Sequence, residues 1–257
     1  MRSERFSPRA ALGRAAPHLA FAVVFFGAWE LYGRSDDAQL PAVSAVATAM
    51  ADMTADGSLP SALGSSMQLL VIGFLSAAVA GFVGGVLLGR YRPLDRTLMP
   101  FLSALYAVPT VALVPLVLVW LGFGLSGRVT VVFLSCYFPI MMNVYAGVRD
   151  TPPELIEVSR SFLVRSEFGL LRTVVIPAAV PFIMSGLRLG IGLGVVGMAV
   201  AEVYLRLGGI GALIAAYGAT FRLDYLFAAI IPLPLLGLLL TKLFTLIERR
   251  ADAWRAG

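Results

Sequence analysis

The chain has 257 residues, 59% hydrophobic and 14% charged, with a mean hydropathy of +0.87 and a formal net charge of +5. Soluble domains carry about 25% charged residues, so this composition places the chain in a lipid bilayer. Its basic residues stand in short clusters between apolar runs, as membrane flanks do, and form no continuous basic face of the kind nucleic acid requires.

A spanning helix needs about 20 mostly apolar residues, and six runs qualify: Ala15–Tyr32, Leu69–Leu88, Leu98–Phe123, Val129–Val148, Phe182–Val203 and Tyr225–Ile247. None shows the ten-residue alternation of a barrel strand. The expected fold is all-α, a polytopic membrane protein with about six transmembrane helices. Residues 1–14 form an N-terminal tail, 15–250 a single transmembrane domain and 251–257 a C-terminal tail. The first run follows Arg2, Arg5, Arg9 and Arg14, as a signal peptide would. No A-x-A site closes it, and Trp29, Glu30 and Tyr32 stand there instead, which favours an uncleaved helix with an interfacial aromatic belt.

Between the first two runs, Val43, Val46, Met50 and Met53 recur at helical spacing. That predicts a short amphipathic helix on the outer surface. Leu207–Phe221 holds Gly208-Gly209-Ile210-Gly211 and fits either a helical hairpin dipping into the membrane or a plain glycine-rich surface turn.

Arginines decide orientation. Arg90, Arg92 and Arg96 follow the second run, Arg149, Arg160, Arg165 and Arg172 follow the fourth, and Lys242, Arg249, Arg250 and Arg255 end the chain. With the four N-terminal arginines they outnumber Arg34, Arg128, Arg206 and Arg222 on the other side. The positive-inside rule then puts both termini in the cytoplasm.

Chemistry-bearing residues are sparse. Cys136 and His18 are single, so neither a disulfide, a cysteine metal cluster nor a histidine triad is expected. Lys242 stands in Thr-Lys-Leu, outside any phosphate-binding loop. No catalytic residue, metal site or cofactor is expected in this chain.

The connection at about 149–181 is long enough to be functional. Thr151 and Glu154 have capping-box spacing, and Pro153 suits the first helical position. A helix therefore begins near Pro152, with Leu155, Ile156, Val158, Phe162 and Leu163 as an apolar face and Glu154, Glu157, Arg160 and Arg165 outside it. Ser166-Glu167 marks a second start, running through Leu170, Leu171 and Val174 to Ile176-Pro177. Such a helix, held between two spans, is either a lever for a partner or an amphipathic helix resting on the membrane.

This loop resembles the cytoplasmic EAA loop of ABC importer permeases. Pro152-Pro153-Glu154-Leu155-Ile156 matches the lead-in, Glu157-Val158-Ser159 stands for Glu-Ala-Ala, and Ile176-Pro177 for the closing Leu-Pro. The family's glycine falls at Leu163, a departure, because glycine permits a sharp turn there. Pro109-Thr110-Val111-Ala112-Leu113-Val114-Pro115-Leu116, Trp120 to Gly124, Phe138-Pro139-Ile140, Asn143 to Arg149, Ser185 to Gly190, Val200-Ala201-Glu202 and Gly209-Ile210-Gly211 resemble the sulfonate, taurine, nitrate and bicarbonate subgroup.

The resemblance implies a multi-pass subunit of the bacterial inner membrane that pairs with a second permease copy as a homodimer. Its other partners are ABC ATPase subunits, which hold ATP and Mg, and an extracytoplasmic solute-binding protein. It implies that a coupling helix carrying Glu154, Glu157, Val158, Ser159, Arg160 and Phe162 engages the ATPase. A carboxylate near a helix start is also favoured by the dipole, which suits Glu157. Candidate pathway residues are Ser135 and Asn143 on the fourth run, and Arg188 and Glu202 on the fifth. An intramembrane acid marks either a pathway or a structural pair, the latter with Arg206 one turn on. The expected function is import of a small anionic solute of the sulfonate, taurine, nitrate or bicarbonate class. A pyrimidine-precursor permease is the alternative, and a stand-alone secondary transporter a more distant one.

Overall fold

The computed structural model describes residues 8–161 and 166–255; among them are twelve α-helices, one π-helical turn and no strand. In chain order they are α1 (Pro8–Gly33), α2 (Val43–Ala55), α3 (Ser58–Arg90), α4 (Arg92–Ala107), α5 (Thr110–Leu121), α6 (Leu125–Arg149), α7 (Pro153–Ser161), α8 (Glu167–Leu170), the π turn (Leu171–Val175), α9 (Ile176–Leu205), α10 (Ile210–Ala219), α11 (Leu223–Ile230) and α12 (Pro232–Arg255).

Among the described residues four stretches are long and apolar enough to cross a membrane: Ser58–Arg90, Leu125–Arg149, Glu167–Leu205 and Leu223–Arg249. The expected third run is two helices, α4 and α5, bent by 101°, and together they make a fifth candidate. The break follows from Pro109, whose ring pushes the preceding residue out of the helical region; Val108 accordingly has φ −75° and ψ 126°. The all-α polytopic fold is as expected, and length and composition count four or five of its spans among the described residues. α1 begins at Pro8, ahead of the predicted run, and continues to Gly33 over 26 residues.

The fifth run also differs from expectation. No break separates Ser166-Glu167 from Phe182, and the helix continues from Glu167 to Leu205 over 39 residues. A proline ring clashes with the carbonyl four residues back. The wide π turn at Leu171–Val175, which holds the residue four before Pro177, accommodates that clash without ending the helix.

The bundle is built on α6. Along α3, the small residues Gly73, Ala77, Gly81, Gly85 and Gly89 recur every fourth position and meet α6, running in the same direction. A Cβ placed on Gly73, Gly81, Gly85 or Gly89 would lie within 3 Å of Val132, Ile140, Val144 or Val148 respectively. On the other side α9 runs antiparallel and does the same. Its Gly186, Gly190 and Gly194 face Asn143, Ile140 and Cys136. Lipid supplies no hydrophobic drive between helices, so such close approach through small residues is what holds a bundle together. The central core, including Leu70, Val132, Cys136, Ile140, Val144 and Met198, lies along these two seams.

The remaining helices lie outside this plank. α12 packs on α9 and presents Leu235, Leu238, Leu239 and Leu246 outward. α1 touches the rest near its C-terminal end, where Trp29 Nε1 donates to the Pro41 carbonyl (3.0 Å) and Glu30 accepts from the Ser44 backbone N–H (2.9 Å). α2 forms as expected, but Val46, Ala49 and Met53 are buried against α11 and the start of α3 rather than resting on a membrane surface.

The seam generates a test. A side chain at Gly85 meets the Met141 carbonyl as well as Val144, and backbone cannot move aside cheaply. Gly85→Leu should lower the thermal midpoint of the purified protein by several degrees, in line with about 1–3 kcal/mol for overpacking. Gly237→Ala, with open space around it, should change it little.

Candidate functional site

α7 leaves α6 through Asp150–Pro152. Pro153 opens the helix, as expected, but the capping box does not form among the described residues: the Thr151 hydroxyl donates back to the Gly147 carbonyl (3.3 Å). The buried threonine therefore fastens the helix root to α6. The second predicted start is confirmed, with Ser166 Oγ accepting the Gly169 backbone N–H (3.0 Å).

The predicted single apolar face of α7 divides in two. Ile156 packs into the central core beside Leu171 and Val174, and Ser159 is buried. Leu155 and Val158, 47% and 53% exposed, turn outward with Glu154, Glu157 and Arg160. Those three charged groups make no ion pair among the described residues. Ser159 thus seats the helix, while Glu154, Glu157, Val158 and Arg160 present a mixed apolar and charged surface. Phe162 and Leu163 lie outside the described residues. The far end of the segment is anchored too, since Arg90 at the end of α3 pairs with Glu167 at the start of α8.

The four candidate pathway residues do not converge. Ser135 lines a cavity of about 190 Å³ between α5, α6 and α9, with Thr110, Val114, Val131, Leu193 and Val196 around it. Its hydroxyl donates to the Val131 carbonyl (3.0 Å). Asn143 Nδ2 donates to the Pro139 carbonyl (2.8 Å), and the residue packs against Gly186. Arg188 pairs with Glu248 of α12 (2.6 Å), tying the two helices together. Among the described residues no three His, Cys, Asp or Glu side chains gather as a metal-holding group.

Glu202 is fully buried. The structural pair with Arg206, one of the two readings of this acid, is absent among the described residues; their link is the Arg206 N–H donating to the Glu202 carbonyl (2.8 Å). The carboxylate instead accepts from Ser66 Oγ (2.8 Å to each oxygen) and from the Gly211 N–H (3.0 Å), while Ser66 Oγ accepts the Ile210 N–H (2.9 Å). A negative group at the first turn of α10 satisfies N–H donors that the helix itself leaves open. The glycine motif now has a reason. Gly208 and Gly209 take φ +95° and +83°, and a Cβ on Gly209 would collide with the carboxylate. α10 and α11 therefore form a helical hairpin with the buried start of α10 locked onto α3 and α9. Ser66, the missed member, carries no signal in its own neighbourhood.

Comparison with known proteins bears on this arrangement. Residues 77–253 match the family described as "Binding-protein-dependent transport system inner membrane component". The chain is 35% identical to the riboflavin transport system permease protein RibX of Chloroflexus aurantiacus, over 71% of this chain and 70% of that one. It is 30% identical to the putative aliphatic sulfonates transport permease protein SsuC of Bacillus subtilis, over 84% of this chain and 78% of that one. In fold it resembles a chain of the inward-facing MetNI methionine ABC transporter, with a TM-score of 0.63 and 20% identity, covering 72% of this chain and 92% of that chain.

The Glu202 lock is open to test. Glu202→Ala leaves the Gly211 N–H and the Ser66 hydroxyl without their acceptor, at about 1–3 kcal/mol for a buried unsatisfied group. Hydrogen exchange at residues 210–219 should rise in Glu202→Ala and, less, in Ser66→Ala. Unchanged exchange in both would mean that apolar packing alone seats α10.

Proposed function

The chain belongs to the binding-protein-dependent transport system inner membrane component family of ABC transporter permeases, and we propose that α7 is its coupling helix, docking onto a partner ATPase. The observation that carries this reading is the divided face of α7. Ile156 and Ser159 hold it to the bundle, while Leu155 and Val158 stand exposed among charges with no ion pair among the described residues. An isolated membrane-resting helix would have no need of a core anchor. A helix that transmits a partner's motion needs both an anchor and an outward contact.

On this reading both termini and α7 face the cytoplasm, supported by the arginine asymmetry. Two copies of the chain pair across the membrane, ATP and Mg are held by the ATPase, and a binding protein delivers solute from the other side. When the ATPase subunits close, α7 is pulled; its root on α6 and its seat beside the π turn pass the motion to α6 and α9. Those two helices, with α5, enclose the cavity at Ser135. Glu154, Glu157, Val158 and Arg160 make the contact. Ser135 and Thr110 supply hydroxyls to the pathway.

The solute we propose is a small anion of the sulfonate, taurine, nitrate or bicarbonate class, which the sulfonate-named relative supports. The cavity at Ser135 has no charged residue in its lining. Charge recognition therefore falls to the binding protein, and the bundle gates. The riboflavin-named relative supports a second reading in which the solute is a heteroaromatic such as a flavin or a pyrimidine precursor.

The test is reconstitution with the cognate ATPase and binding protein. Glu157→Arg and Val158→Glu should each weaken ATPase retention by about tenfold or more, as loss of an interface anchor does, and abolish ATP-driven uptake. Purification of the chain alone, with solute movement that needs no ATP, would overturn the coupling role.

A further inference from the structure

At the arginine-rich end of the bundle, α3 ends, α4 begins and α6 ends around a cavity of about 460 Å³. It is separate from the cavity at Ser135 and takes no part in the pathway described above. Arg90, Arg92, Arg96 and Arg149 line it, with Asp95 the one carboxylate in the lining. Leu88, Val148 and Val175 supply apolar wall.

The charges do not balance. Arg149 pairs with Asp95 (2.6 Å), whose other oxygen accepts from Tyr145 (2.7 Å), and Arg90 pairs with Glu167. Arg92 and Arg96 have no carboxylate partner among the described residues. Arg90 Nε is buried with no hydrogen-bond partner among them. The cavity thus offers two uncompensated guanidiniums and an orphaned buried N–H. Helix dipoles explain Arg90 and Arg149, which stand in the last turns of α3 and α6. They do not explain Arg92 and Arg96, which stand in the first turns of α4, where a cation is disfavoured. That placement makes sense if an anion sits between them.

We propose that this cavity binds a phosphate group. Guanidinium forks match phosphate oxygens, and a basic pocket between helices at the membrane boundary suits an anionic lipid headgroup. The corner favours the lipid as carrier of the phosphate. Leu87, Tyr91, Leu94 and Leu98 are exposed beside the cavity, an apolar track for acyl chains with a tyrosine at the headgroup level. Ile156 and Thr151 also line the cavity, so its occupant touches the root of α7.

The direct experiment is native mass spectrometry of the detergent-purified chain, with its ATPase if the two copurify. Phosphatidylglycerol or phosphatidylcholine is added, with inorganic phosphate titrated by calorimetry in a parallel arm. The variant is Arg92→Gln/Arg96→Gln, whose exposed side chains leave the packed seams untouched. The wild type should retain phosphatidylglycerol over phosphatidylcholine, and the double variant should retain it about tenfold less. Phosphate binding without lipid preference, lost in the same variant, keeps the site and assigns it to a soluble phosphate. Equal retention of both lipids and no phosphate binding, or a variant indistinguishable from wild type, overturns the site. Loss of the ATPase alone in the variant, without any phosphate binding by the wild type, gives the arginines to the partner and overturns it equally. None of these readings requires transport, so the site can fail while the coupling role of α7 stands.

Discussion

Glycine against branched side chains on α6 is the contact from which the rest of the molecule hangs. In a bilayer a leucine gains nothing by leaving lipid for a neighbouring helix, so helices associate through close van der Waals fit. The stripe Gly73, Gly81, Gly85 and Gly89 lets α3 ride on Val132, Ile140, Val144 and Val148, and Gly186, Gly190 and Gly194 bring α9 to the opposite side. The result is a stiff three-helix plank. Each functional feature is placed by one of its edges or ends: the cavity at Ser135 by α6 and α9, the arginine-lined cavity by the ends of α3 and α6, and α7 by the connection between α6 and α9.

Stiffness is what the proposed lever role of a short helix requires. α7 spans nine residues, too few to be stable alone in water. It persists because Thr151 ties its root to α6 and Ile156 enters the core beside the π turn. On the proposed coupling role, a push on Leu155 or Val158 would be passed through those anchors to the helices behind them. The π turn is a wider stretch leading into α9, next to that anchor and just before Pro177. π segments of this kind recur at functional sites.

The two ends of the plank handle charge in opposite ways. At one end Glu202 is sealed, its oxygens taken up by Ser66 and the start of α10. A buried carboxylate is tolerable only with such a full set of partners, and the reward is a fixed hairpin. At the other end arginines gather around open space with fewer carboxylates than cations. The first arrangement is closed and structural. The second is open, with fewer carboxylates than guanidiniums among the described residues, and this imbalance is the ground of the proposed phosphate site.

Features that depend on local pattern could be read from the amino-acid sequence: the apolar runs, the arginine asymmetry, Pro153 at a helix start, Ser166 as a cap, and the ordered motifs that place the chain among ABC permeases. Each is decided by a residue and its near neighbours. The bend at Val108–Pro109 had a local cause as well, but continuous apolarity on both sides of it reads as one span, because hydropathy reports burial and not direction. The four-residue spacing of the α3 glycines was visible, though not what they pack against. Tertiary structure alone decided that Ile156 points inward and Leu155 outward, since amphipathic period marks which residues share a face but not which face has a partner. It alone brought Ser66 to Glu202 across 136 positions of chain, and Arg92 and Arg96 to the ends of α3 and α6. Those meetings arise from how helices cross, and helix crossing is set by packed surfaces far apart in sequence.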